Sequence, residues 1–209
     1  MFPTVAGSMT NMASALASSK VQSNANSNAG KAFLKFDFKS GSYVVGRDQE
    51  DVTGEEIAIN VGSIHHGWTM WVNRSPRKTA VPFTEPLPAA PEPVEGVEAS
   101  ESRGFEAAFT DEDKTIIAFE TNSYGGRKGV DAVLDACRLK AVGGEEKYLF
   151  PIVKLDSENY QSQQGSTIHN PVFTVVDWMD MEGNREGATA KIEAPGEEKV
   201  TPTRRKRRS

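Results

Sequence analysis

The sequence predicts a mostly β fold with one α-helix, and three observations lead to this prediction. Short runs that alternate apolar and polar residues recur between Phe33 and Met179, a pattern typical of half-buried strands. One stretch instead repeats its apolar residues at helical spacing. Outside this span the apolar periodicity is lost. We therefore expect one folded domain at 33–179 between disordered tails at 1–32 and 180–209.

The first half of the domain is predicted to be made of strands. Residues 33–38 place Leu34, Phe36 and Phe38 on one face, and residues 42–45 follow a Ser-Gly turn, which together indicate a hairpin. Two further alternating runs follow. They are 57–61 and 67–72.

The second half contains the one predicted helix. In residues 130–141 the apolar side chains recur at i, i+3, i+4, i+7 and i+11, and Gly143–Gly144 are expected to end the helix. A Pro- and Glu-rich segment at 84–102 is predicted to be a flexible insertion within the single domain. The remaining predicted strands are 104–109, 115–121, 148–155 and 171–179.

This order of elements favours an OB-like fold, a partly open Greek-key barrel whose helix lies between its third and fourth strands. The predicted strands, four before 84–102 and four after it, exceed the five that such a barrel needs, so some of the early ones are expected to form an extra hairpin. A β-sandwich with one lateral helix is the structural alternative.

The composition argues against catalysis, cofactors and metal binding. Cys137 is the only cysteine and there are three histidines, so neither a disulfide within the chain nor a cysteine zinc cage is expected. The signatures of nucleophilic catalysis are absent from the sequence. No run of apolar residues has the length of a membrane span. We expect a noncatalytic cytoplasmic protein without cofactor or metal.

Two short segments combine aromatic and basic residues, as single-strand nucleic-acid binding requires. In 68–78 the two tryptophans lie on opposite faces of a strand, and Trp68 shares the apolar face, so Trp71 is predicted to be exposed. The other segment, 122–129, is Gly-rich and is predicted to be a loop before the helix. The candidate contacts are Trp71 and Tyr124 for stacking, and Arg74, Arg77, Lys78, Arg127 and Lys128 for phosphates.

A third candidate segment is 156–170, predicted to be a long loop between the last two strands. In an OB-fold this connection is one of the two loops that grip oligonucleotides. Tyr160 is its candidate stacking residue. For each of the three segments an ordinary structural role is the alternative: a core tryptophan, a solvated turn or a loop without a binding function.

Charge restricts how nucleic acid could be bound. The net charge is −5, but Arg204 to Arg208 form a continuous basic run. Because the body of the chain is acidic, its bulk charge would not hold duplex DNA. We therefore expect any nucleic acid to bind at a local basic surface. The basic run is compatible with polyanion contact, a localisation signal or a solubilising end.

Three stretches carry a family resemblance: FLKFDFKSG from Phe33, FETNSYGGRKG from Phe119 and NPVFTVVDWMD from Asn170. Together they resemble uncharacterised early proteins of tailed bacteriophages, and the architecture is similar to that of phage OB-fold single-stranded-DNA-binding proteins. The resemblance implies a single-stranded-DNA-binding protein of phage replication or recombination, acting in the host cytoplasm beside other replication or recombination proteins. The alternative is a phage structural or assembly protein, or a host-factor inhibitor acting by protein contact.

Overall fold

The computed structural model describes residues 31–110, 115–144 and 147–189. Most of both predicted tails, the basic run Arg204–Arg208 and the acidic cluster at 111–113 lie outside these ranges. The strands are β1 (Ala32–Asp37), β2 (Ser42–Val45), β3 (Glu50–Asp51), β4 (Glu56–Val72), β5 (Ser75–Pro82), β6 (Ser100–Phe109), β7 (Ile116–Thr121), β8 (Phe150–Gln161) and β9 (Thr167–Met179), and the helices are α1 (Tyr124–Val142) and α2 (Glu186–Thr189).

The described strands form one sheet in the order β3-β2-β1-β7-β6-β4-β8-β9, with β5 paired to β4 outside this path. The β1–β7 pair is parallel, and the other pairs are antiparallel. The long strand β4 pairs with β6 along one edge. Its other edge pairs with β8 near its start and with β5 near its end. A register shift between Asn60 and His65 accompanies this change of neighbour and allows the strand to bend.

Strands β4, β6 and β7, helix α1 and strands β8 and β9 follow one another as the five strands and the helix of an OB-fold do. The predicted fold class, a mostly β chain with one long helix and an OB-like, partly open barrel, is therefore confirmed. The extra hairpin is β1–β2, and β1 lies beside β7. At the end of β1 the Phe38 carbonyl accepts a hydrogen bond from His169 N in β9 (2.9 Å). Among the described residues no strand ladder closes the ring to β9.

The core fills the inside of this curved sheet and the contact with α1. Three phenylalanines, Phe105, Phe119 and Phe173, pack with ring centroids 5.2 to 5.3 Å apart. Two of these contacts, those of Phe173, are edge-to-face, a geometry that stabilises aromatic clusters beyond the area that they bury. The helix contributes Val130 and Val133, both fully buried, at the spacing that predicted its apolar face.

Several predicted boundaries are wrong because exposed parts of strands lack apolar alternation. The two runs 57–61 and 67–72 belong to the single strand β4. The predicted long loop 156–170 is mostly strand, since β8 continues to Gln161 and β9 begins at Thr167. Strand β5 was not predicted, because seven of its eight residues are exposed and no apolar alternation marks it.

The Pro- and Glu-rich insertion is anchored to β4 rather than free of the domain. The Trp68 indole N–H donates to the Pro88 carbonyl (2.8 Å), and His66 Nε2 lies 2.9 Å from the Glu85 carbonyl oxygen. The last three residues predicted for the insertion, 100–102, form the start of β6. The start of the segment therefore lies against the face of β4 that carries His66 and Trp68.

Candidate functional site

The start of helix α1 differs from the predicted loop at 122–129. Ser123 is the N-cap, and its side chain accepts a hydrogen bond from Gly126 N (3.1 Å), which satisfies a backbone donor at the helix start. A Cβ on Gly125 would lie 2.0 Å from Asn170 Oδ1, and a Cβ on Gly126 would lie 2.3 Å from Thr121 Oγ1. These glycines thus permit close packing of the first helical turn instead of curling a loop.

This helix start presents Tyr124 to solvent, with 73% of the residue exposed. The β8–β9 hairpin reaches the same region from the other side. Its residue Tyr160, 48% exposed, pairs with Ile168, and the next residue, His169, is held to β1 by its backbone N–H. The two predicted stacking tyrosines are therefore brought together by different elements.

Between these elements lies an open pocket of about 620 Å³, called here the aromatic pocket. Its volume is within the usual range for small-ligand sites, roughly 300–1,000 Å³. Aromatic and amide side chains dominate its walls. The lining residues are Phe36, Phe38, Phe119, Glu120, Thr121, Asn122, Ser123, Tyr124, Gly125, Tyr160, Ile168, His169, Asn170 and Pro171.

Two exposed lysines lie over rings of the aromatic pocket. Lys128 Nζ is 5.9 Å from the centroid of Tyr124, and Lys39 Nζ is 6.0 Å from the centroid of Phe38. Both distances are compatible with cation–π attraction. Neither lysine forms an ion pair with another described residue, so both ammonium groups can meet an anion.

Phe38 and Lys39 were not identified from the sequence as site residues. Alternation placed Phe38 on the core face of β1, but it follows the last residue of that strand and is 55% exposed. One feature of the sequence could have predicted this exposure. Phe38 lies close in sequence to the Ser-Gly turn, at which the strand leaves the core. In that turn Lys39 N and the Ser40 hydroxyl donate to Asp37, and these bonds hold the pKa of Asp37 below its ordinary value.

The negative charge of the aromatic pocket comes from Glu120, which forms an ion pair with Lys78 of β5. This contact places Lys78 next to the pocket although Lys78 does not line it. The other polar walls include Asn122, Asn170 and His169. His169 Nδ1 is buried and has no hydrogen-bond partner in the described part of the chain.

The β4–β5 hairpin carries the other predicted contacts and is called here the basic hairpin, residues 71–78. Trp71 is 56% exposed, as predicted, while Met70 and Val72 beside it are buried. Arg74 and Arg77 are exposed. None of Trp71, Arg74 and Arg77 lines the aromatic pocket. The structure thus divides the predicted site residues between two surfaces.

Among the predicted phosphate contacts, Arg127 has the side chain that is held most firmly by other residues. Its guanidinium is bound to Glu101 of β6, which also binds Arg103 (2.6 Å). Arg103 in turn contacts Asp131 of α1 (3.1 Å). This network ties the helix to β6, so a structural role accounts for Arg127, and its role in phosphate binding stays a prediction.

Comparison of the chain with protein families, with curated proteins and with solved structures found no match. The described residues contain no group of three or more histidine, cysteine or acidic side chains placed to hold a metal ion. None of the helices in those ranges is long and apolar enough to cross a membrane.

Proposed function

We propose that this protein binds single-stranded DNA without catalysis, with the aromatic pocket as the main contact. The observation that carries the proposal is the convergence of Phe38, Tyr124 and Tyr160, all well exposed, on one pocket that has lysines at its rim. Aromatic rings exposed to water are unfavourable on a folded domain. Stacking of a flat ligand would remove their surface from water.

The chemistry of single strands fits these groups. An unpaired base presents a flat face that stacks on any aromatic ring, and each stacked base contributes about 1–3 kcal/mol. Lys39 and Lys128 stand where a phosphate backbone passing over Phe38 and Tyr124 would run. Asn122 and Asn170 offer amide donors and acceptors to base edges.

The biological setting is part of the same proposal. A single-strand binder of this size serves phage DNA replication or recombination, in the host cytoplasm and beside other replication or recombination proteins. The resemblance of the three sequence stretches to phage early proteins supports this setting.

A protein-contact function, in virion assembly or in inhibition of a host factor, is the second candidate. The net charge of −5 favours it, because bulk charge then repels nucleic acid. So do three apolar residues left exposed near the end of α1 and after β9, distant in sequence from the aromatic pocket: Leu139, Val142 and Met181.

The deciding experiment measures the affinity of the full chain for a single-stranded oligonucleotide and for its duplex across a salt series. We expect preference for the single strand and a slope of log affinity against log salt of about −2 to −4, since each phosphate contact contributes about −0.7. Tyr160→Ala should weaken binding roughly five- to 100-fold. Leu139→Ala, which removes an exposed apolar side chain on α1, should leave it unchanged.

Equal affinity for duplex, or absence of binding at low salt, would reject the proposal and favour the protein-contact function. Deleting residues 200–209 in parallel separates the folded surface from the basic run. If that deletion abolished binding while Tyr160→Ala bound normally, the aromatic pocket would not be the nucleic-acid site.

A further inference from the structure

The basic hairpin has an apolar ridge that the aromatic pocket does not use. Its turn residues Asn73 and Arg74 have φ of 51° and 63°, as a two-residue hairpin turn of the favoured hand requires. Trp71 lies directly opposite Pro76 in the register of β4 with β5. Cross-strand partners share one face of a sheet, so the two rings lie side by side, and both residues are exposed.

The hydrogen-bonding pattern of the hairpin brings the Trp71 and Pro76 rings close together. The backbone N–H of Phe83 donates to the Ile64 carbonyl, so Ile64–Phe83 is a hydrogen-bonded pair. Hydrogen-bonded and non-hydrogen-bonded pairs alternate along an antiparallel ladder. Val72–Ser75 is therefore a hydrogen-bonded pair and Trp71–Pro76 is a non-hydrogen-bonded one. Side chains approach each other more closely in the second kind of pair. The ridge is therefore a compact apolar projection one residue from the turn on each strand.

The charged residues of the basic hairpin are all positive. Arg74 lies at the turn, with Arg77 and Lys78 on β5, and the sequence has no aspartate or glutamate from Ile57 to Thr84. Within the described residues Arg74 and Arg77 form no ion pair. In a chain of net charge −5, such a stretch indicates a partner with concentrated negative charge.

The free edge of β5 argues against a protein strand as that partner. By the same alternation, the backbone nitrogens of residues 76, 78, 80 and 82 face away from β4. Two of these four positions are Pro76 and Pro82, which have no N–H, and Lys78 adds a charge between them. Prolines and lysines on an edge strand oppose the addition of another strand.

We propose that the basic hairpin is a second nucleic-acid site, which engages duplex DNA where it meets a single strand. The convex ridge suits the flat face of a base pair at the end of a duplex, whereas the concave aromatic pocket suits an unpaired base. The Trp71–Pro76 ridge stacks on the terminal base pair, as apolar side chains wedge against base steps elsewhere, and Arg74 and Arg77 contact the duplex phosphates, while Lys78 stays paired with Glu120.

The two sites can act on one DNA molecule because they adjoin. Lys78 of the hairpin contacts Glu120, and Glu120 lines the aromatic pocket. A duplex arm on the hairpin would thus deliver its single-stranded tail to the pocket. In this respect the inference rests on the proposed single-strand function.

The test compares three DNAs with the full chain: a single strand, a blunt duplex, and the same duplex with a single-stranded tail. We expect the tailed duplex to bind roughly five- to 100-fold more tightly than the single strand, the range for one stacked ring. Trp71→Ala should abolish this preference and leave single-strand affinity within about twofold of the wild type. Arg74→Ala should reduce it partly, whereas Arg138→Ala, an exposed arginine on α1, should not.

Tyr160→Ala serves as the converse variant, since it should weaken binding of single strand and tailed duplex by the same factor. Equal affinity of the wild type for tailed duplex and single strand would overturn the inference. So would a Trp71→Ala variant that loses single-strand and tailed-duplex binding equally. If the chain bound no single strand but still bound duplex in a Trp71-dependent way, the pocket proposal would fail and the hairpin site would remain. Thermal unfolding of each variant excludes loss of fold.

Discussion

Glu120 is the residue at which charge and proposed function oppose each other. Its carboxylate lines the aromatic pocket, where it would repel a phosphate, and its ion pair holds Lys78 away from any phosphate. Both groups are partly exposed, so the ion pair itself contributes little to stability.

We predict that Glu120→Gln raises affinity for single-stranded DNA. The variant removes one repulsive charge, worth about 1 kcal/mol at contact distance in water, and frees Lys78. Affinity should rise about fivefold, and the salt slope should become steeper by about 0.7. Glu158→Gln, at an exposed position of β8 outside the lining, is the charge-matched control. A fall in affinity for Glu120→Gln would show that the carboxylate contributes to binding.

For single residues, the sequence predicts solvent exposure well and contacts between distant residues poorly. The exposure of Trp71 followed from alternation, because Trp68 shares a face with the buried residues Met70 and Val72. The engagement of Arg127 by Glu101 did not, because it depends on how α1 lies over β6. Such a contact between distant residues leaves no local pattern.

Helix α1 is the element whose start positions Tyr124 at the pocket. The helix was predicted from Val130 but begins six residues earlier, since glycines that disfavour a helix in isolation are needed here for close approach to Thr121 and Asn170. The strand extensions of β8 and β9 were missed for a related reason: the β8 extension is mostly exposed and the start of β9 is only half-buried, so no apolar alternation marks them.

The cap of this helix can be separated from the binding surface. Ser123→Ala should lower the free energy of unfolding by about 1 kcal/mol, because Gly126 N loses its acceptor. Ser123→Asp should retain the cap and restore stability, since carboxylates are favourable at helix starts. It should nevertheless weaken DNA binding, because it adds a negative charge to the pocket lining.

Denaturant unfolding and DNA titration of the same preparations check both expectations. Equal binding by Ser123→Asp and the wild type would place the phosphate path away from the helix start. Unchanged stability of Ser123→Ala would mean that water replaces the cap.

Across the whole molecule, Tyr43 joins the extra hairpin to the barrel. Its hydroxyl, on a fully buried residue, donates to the carbonyls of Asp156 (2.9 Å) in β8 and Val172 (3.2 Å) in β9. Burial raises the pKa of Tyr43 well above its ordinary value of 10.0. Burial also raises the pKa of the Cys137 thiol to about 12 from an ordinary value of 9.0.

These two shifts predict a loss of stability at alkaline pH. The unfolded chain releases the two protons near pH 9.0 and 10.0 while the fold retains them, so the contribution is complete below about pH 9 and is lost as pH rises. Each group adds a slope of about 1.4 kcal/mol per pH unit. Tyr43→Phe should cost about 1–3 kcal/mol at neutral pH and flatten the fall above pH 10.

Denaturant unfolding between pH 7 and 11 measures this dependence. Tyr124→Phe removes the hydroxyl of an exposed tyrosine instead of a buried one, so it is the matched control and should keep the wild-type profile. If Tyr43→Phe retained the full alkaline slope, the slope would have to come from other groups.

The architecture was largely predictable because the order of elements restricts the possible connections. Strand order and the helix position favoured an OB-like barrel, and the turn after Phe38 indicated the hairpin β1–β2. The placement of that hairpin between β7 and β9 could not be predicted, because parallel pairing of β1 with residues near Phe119 leaves no signal in either segment alone.

The Tyr43 contacts also set an order of events during biosynthesis. The two carbonyls that receive its hydroxyl lie 113 and 129 residues further along the chain, and loops of this length close late and slow folding. The hairpin β1–β2 emerges from the ribosome early and must wait for β8 and β9 before it can dock on the barrel. During that interval its apolar face, with Leu34 and Tyr43, is open to chaperones and to other nascent chains.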